Sequence, residues 1–86
     1  MVALTFRIGR DAVVVQLQAT TFRPLVDELR MARVRLAERV EVAGRSTARA
    51  PVELHDGDVR ALSIAARVLR EGMLIEDPAL EQLARL

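Results

Sequence analysis

Two alternating apolar stretches on either side of Gly9-Arg10 constrain this chain more than anything else in it. Val2, Leu4, Phe6 and Ile8 alternate with Ala3, Thr5 and Arg7, and Val13, Val15 and Leu17 alternate with Val14 and Gln16. A period of two is the mark of a half-buried strand. Glycine at the first central position suits a two-residue type II′ turn, whose twist matches the strands it joins. The pattern predicts a β-hairpin with strands over about 2–8 and 12–18, and it predicts the register. Phe6 should face Val13, Leu4 should face Val15 and Val2 should face Leu17, so apolar residues meet across the strands. The other face pairs Ala3 with Gln16, Thr5 with Val14 and Arg7 with Ala12, a mixture suited to solvent. An isolated hairpin is marginal in water, so its apolar face requires helices.

The broadest apolar surface downstream lies between Val52 and Met73. At about 100° per residue, Val59, Leu62, Ala66, Leu69 and Met73 form one stripe that Ala61, Ala65 and Val68 widen. Arg60, Ser63, Arg67, Arg70 and Glu71 fall on the remaining arc. A helix over about 56–71 follows, apolar round half its circumference and suited to a position between layers. His55 or Asp56 is the expected N-cap, and Gly72 the expected C′ residue of a Schellman turn closing Met73 on Val68.

A long helix is expected over about 22–43, after Thr20-Thr21 as N-cap and with Pro24 in its first turn. Phe22, Leu25, Val26, Leu29, Ala32, Leu36, Ala37, Val40 and Ala43 share a stripe. Arg33 projects from the middle of that stripe, while Met31, Val34 and Val42 lie off it. Residues 44–51 lack periodicity and acids and read as a mobile loop. Val52 to Leu54 is a possible short strand that could add to the hairpin, Val52 and Leu54 facing one way. Asp77-Pro78 starts a short C-terminal helix over about 78–85, which is too short to hold unless docked. Strands first and helices after make a segregated α+β fold, and 86 residues suit a single small domain spanning 1–86.

Composition narrows the function. Alanine accounts for thirteen residues and only Phe6 and Phe22 are aromatic, so the core is thin and stability gained by association is expected. There is no cysteine, hence no disulfide or thiolate metal site. No signal-peptide pattern is visible, and no apolar run approaches the roughly 20 residues of a membrane span. A cytoplasmic protein without a membrane partner is the expectation. All thirteen basic residues are Arg. GC-rich coding explains this most simply; bidentate pairing with carboxylate or phosphate is the sharper explanation. Residues 1–51 hold nine Arg against five acids, and residues 52–86 four against seven.

Catalytic and metal motifs are not found. His55-Asp56-Gly57-Asp58 has ligand residue types but neither zinc nor calcium spacing, and a helix start accounts for it. The carboxylate pairs Asp27/Glu28, Asp56/Asp58 and Glu76/Asp77 sit at helix starts or beside Arg. The four glycines are isolated, so there is no phosphate loop. No cofactor and no catalytic residue is assigned. The favoured expectation is a non-enzymatic interaction or oligomerisation module, an accessory or regulatory subunit that binds itself or a larger protein through Met31, Arg33, Val34 and Arg35. The alternative is a small nucleic-acid-binding regulator using Arg30, Arg35, Arg39, Arg45 and Arg49, although no Tyr or Trp is present for base stacking.

Overall fold

The computed structural model describes residues 1–48 and 50–86. It is an α+β fold in which strand β1 (Val2–Ile8) and strand β2 (Asp11–Leu17) form the hairpin. The register is the expected one in every pair, from Val2↔Leu17 through Leu4↔Val15 to Phe6↔Val13. Gly9 has φ +61, and Arg10 has no positive φ, which is the type II′ arrangement. Leu4, Phe6, Val15 and Leu17 are buried, while Ala3, Arg7, Ala12, Val14 and Gln16 face solvent.

The short strand β3 (Val52–Glu53) completes the sheet. It runs parallel to β1 with Phe6↔Val52 and Arg7↔Glu53, giving the order β2-β1-β3. Leu54 adds one further bond, donating its N–H to the Arg7 carbonyl at 2.9 Å. Val52 and Leu54 are both buried, as their shared parity requires.

The segment expected to be one helix over 22–43 is two. Helix α1 runs Ala19–Ala32 and helix α2 runs Val34–Arg45, with Arg33 between them at φ −141, ψ 81. Its N–H donates to Leu29 O at 2.6 Å and its carbonyl accepts from Ala37 N at 2.9 Å, so one residue ends α1 and begins α2. The two helices lie side by side. A Cβ on Gly44 would come within 2.3 Å of the Phe22 ring, so the first turns of α1 meet the last turn of α2. The reason is dimensional. A straight helix of that length spans about 33 Å, but seven-residue strands span only about 23 Å. Folding back at Arg33 lets Leu25, Val26 and Leu29 of α1 and Leu36, Ala37 and Val40 of α2 all reach the core.

Several expected boundaries shift. Helix α1 begins at Ala19, with Gln18 at the cap position; Thr21 is buried in the first turn and its Oγ1 has no partner among the described residues. Helix α2 passes through Gly44 and ends at Arg45, inside the stretch expected as loop 44–51. Helix α3 (Asp58–Arg67) continues as a π turn over Val68–Gly72. Its cap position belongs to Gly57 (φ +88), neither to His55 nor to Asp56. At the other end the left-handed residue is Leu74 (φ 54), two residues beyond Gly72. The extra residue of the π turn, closed by Met73 N to Val68 O at 3.1 Å, carries the helix past the expected stop. Helix α4 (Pro78–Ala84) ends one residue early.

Helix α2 lies against β1 and β3, α4 lies against β2, and α3 packs on α1 and α4. Since the opposite sheet face is solvated, all four helices share one side. Ser63, expected on the polar arc, is buried and donates to Ala84 O at 2.9 Å, tying α3 to the end of α4.

Candidate functional site

The corner between α1 and α2 gathers most of the residues the sequence singled out. Arg33 donates from Nη2 to the Asp56 carbonyl at 3.2 Å, and its Nε lies 4.0 Å from Asp58 Oδ1. It lies so close to Gly57 that a Cβ there would be 1.6 Å from Nη2. This is what becomes of an arginine set in an apolar stripe: the backbone turns at it and its side chain crosses to the start of α3. On either side of it Met31 is 84% exposed and Val34 53% exposed. Arg35 is also exposed and, among the described residues, forms no ion pair.

Asp58 holds this corner to the sheet. It is 5% exposed. Oδ2 accepts from Arg39 Nη2 at 3.0 Å and from His55 N at 2.9 Å. Arg39 also donates from Nη1 to the carbonyl of Glu53. In the parallel ladder Val52 and Leu54 turn their backbone groups to β1, so the Glu53 carbonyl points away from the sheet. The guanidinium of Arg39 therefore closes the outer edge of β3.

A second cluster surrounds Glu41 on the paired faces of α1 and α2. Its carboxylate accepts from Arg23 at 2.8 Å, Arg30 at 3.0 Å and Arg45 at 3.1 Å. The hydrogen bond from Arg23 holds the Glu41 carboxyl below its ordinary value of 4.5; partial burial opposes this, and the charges of Arg23 and Arg45 with the bond from Arg30 reinforce it. Of these pairs only Glu41–Arg45, one turn apart on a helix, was visible in the sequence. The other two require the fold-back at Arg33.

The five arginines of the nucleic-acid alternative thus lie in different settings. Arg30, Arg39 and Arg45 bond to acids of their own chain. Arg35 is unpaired among the described residues, and Arg49 lies outside them. Arg35 and Arg39 border an open groove of about 900 Å³ between α2 and the segment leading into β3, floored by Val42, Ala43 and Val52 and reached by His55. The expected cluster at 55–58 is drawn into the start of α3, with the Asp58 carboxylate occupied by Arg39. Among the described residues no group of three or more His, Asp or Glu side chains converges as metal ligands would. No helix among them is long and apolar enough to cross a membrane.

Compared with protein-family models, curated proteins and solved structures, the chain matches none.

Proposed function

We infer that this chain is a non-enzymatic protein-interaction module, and that the α1–α2 corner is a face it offers to a partner protein. One observation carries the reading: Met31 and Val34, two apolar side chains in solvent, flank a residue fixed on both sides. Arg33 is bound through its backbone to both helices and through its guanidinium to the start of α3. The corner is therefore a preorganised presentation of Met31, Val34 and Arg35, and preorganisation lowers the entropic cost of binding. Methionine suits such a surface because its side chain adapts to irregular partners. The partner class that fits is a protein surface with an apolar depression beside a carboxylate for Arg35.

The nucleic-acid reading has less support, because phosphate binding needs cations free to give up their counterions. Three of its five arginines have intramolecular carboxylates instead.

The test is a double variant, Met31→Glu with Val34→Glu. Both sites are exposed, so stability should change by no more than about 0.5 kcal/mol. Proteins captured by the wild-type chain in its own cells should be lost by the variant. If wild type and variant capture the same proteins, the corner is not the contact face. A wild-type chain that captures none and does not self-associate would overturn the module reading itself.

A further inference from the structure

The sheet has two outer edges, and the structure treats them differently. At β3 the outward Glu53 carbonyl is taken by Arg39. At β2 closure reaches only one position. The bond from Leu54 N to Arg7 O shows that odd-numbered residues of β1 turn toward β3. Even-numbered residues of β1 therefore bond to β2, whose partners in the register are Asp11, Val13, Val15 and Leu17. The backbone N–H and C=O groups of Ala12, Val14 and Gln16 point outward. The next outward donor, Gln18 N–H, is bound by Asp77 Oδ2 at 2.8 Å. Between the turn and that stop the outward groups of β2 have no partner among the described residues.

Proteins normally blunt such an edge with lysine, proline, a bulge or a covering element. From Ala12 to Leu17 there is no charged residue and no proline, and the register with β1 is continuous, without a bulge. Val14 stands 58% exposed at its centre.

We propose that the open edge of β2 pairs antiparallel with β2 of a second copy of this chain, with Val14 facing Val14 on a two-fold axis. The sequence of the edge names the occupant. Outward groups must meet outward groups, so even residues pair with even residues. Centring on Val14 sets Ala12 against Gln16, Val13 against Val15 and Asp11 against Leu17. All seven residues are then paired. The three consecutive valines meet three valines, and β-branched pairs across strands are favourable. The only charge, Asp11, faces a leucine and not its own copy. Helix α4 does not obstruct the pairing at its start: Asp77 fixes that start beside Gln18, and antiparallel pairing sends the two starts to opposite ends of the joined strands. The result is one six-stranded sheet, β3-β1-β2-β2-β1-β3, with Arg39 closing both of its ends.

This deepens the interaction-module reading and rests on it, but uses a surface separate from Met31 and Val34. The chain has no cysteine, so single cysteines report the register directly. Val14→Cys should form a disulfide-linked dimer under mild oxidation, because opposed residues of a bonded pair lie about 5.5 Å apart at Cα. Ala12→Cys should not, since its two copies would be offset by about 13 Å along the strands. Ala12→Cys combined with Gln16→Cys should cross-link again. All three positions are exposed, so these variants test pairing and not folding. In parallel, Val14→Lys sets like charges against each other and should weaken the dimer about tenfold or more. Equal cross-linking of Val14→Cys and Ala12→Cys, or a dimer untouched by Val14→Lys, overturns the proposal. If self-association survives Val14→Lys but not Met31→Glu with Val34→Glu, the edge is wrong while the module reading stands.

Discussion

Single residues carry consequences here that can be measured one at a time. Glu41 is one such residue. Its carboxyl titrates below its ordinary 4.5 in the folded protein, chiefly through the Arg23 hydrogen bond. A lowered folded value means the unfolded chain binds the proton more readily. The stabilisation is therefore complete above 4.5 and is lost as pH falls through the lowered value. Glu41→Gln should be less stable than wild type at neutral pH and should show a flatter loss of stability on acidification, measured by urea unfolding across that range. A second case is the end of α3, where glycine and the left-handed conformation are out of step. Leu74 adopts φ 54 while Gly72 is helical, with nothing nearer its missing Cβ than Val68 at 3.9 Å. Gly72→Ala combined with Leu74→Gly should raise stability by about 1 kcal/mol in thermal unfolding. The sequence suggested the reverse assignment, because a glycine after an apolar stripe is the usual stop signal and a π turn leaves no mark in the pattern.

At the level of elements, the hairpin was fully legible and the α1–α2 pair was not. Register in the hairpin follows from a two-residue turn and a period of two, both local properties of residues 2–17. The break at Arg33 is not local. Leu25, Leu29, Leu36 and Val40 keep one helical phase straight through it, so periodicity could not reveal it. The only trace was Arg33 itself, a charge in the middle of the stripe. Helix α3 was placed correctly as the packed helix, but Ser63 was put on the wrong side because a hydroxyl bonded to Ala84 O behaves as a core group. The start of α3 shows what a candidate site can turn into. Asp58 was grouped with possible ligands, yet its carboxylate joins α2, the turn at His55 and α3. Asp58→Ala should cost about 3 kcal/mol, since it strands the partly covered Arg39 and frees the His55 amide. Gly44→Ala should also destabilise, by about 1–3 kcal/mol, because the added methyl meets the Phe22 ring at 2.3 Å. Both are checked by chemical denaturation at neutral pH.

The whole molecule places its helices on one side of a sheet that is closed at β3 and open at β2. Its charge asymmetry is met in part across the halves, where Arg7 meets Glu53 and Arg33 and Arg39 meet Asp58, while Glu41 gathers three arginines within the basic half. Among the described residues the apolar corner at Met31 and Val34 and the uncharged edge of β2 are two of the surfaces with no internal use; Val42, Ile64, Met73 and Leu74 also stand exposed. The sequence pointed to the corner through residues that did not fit a helix, and to Val52–Leu54 as a strand that could add to the hairpin. It could not say that Asp77 and Arg39 would close the neighbouring positions, because those contacts join residues 59 and 14 positions apart. Sedimentation velocity of the wild-type chain and of Val14→Lys, from low micromolar to hundreds of micromolar, tests this account most directly. The wild type should move from monomer to dimer with rising concentration while Val14→Lys, equally well folded, stays monomeric far longer. A wild-type chain that sediments as a monomer at every concentration would contradict it.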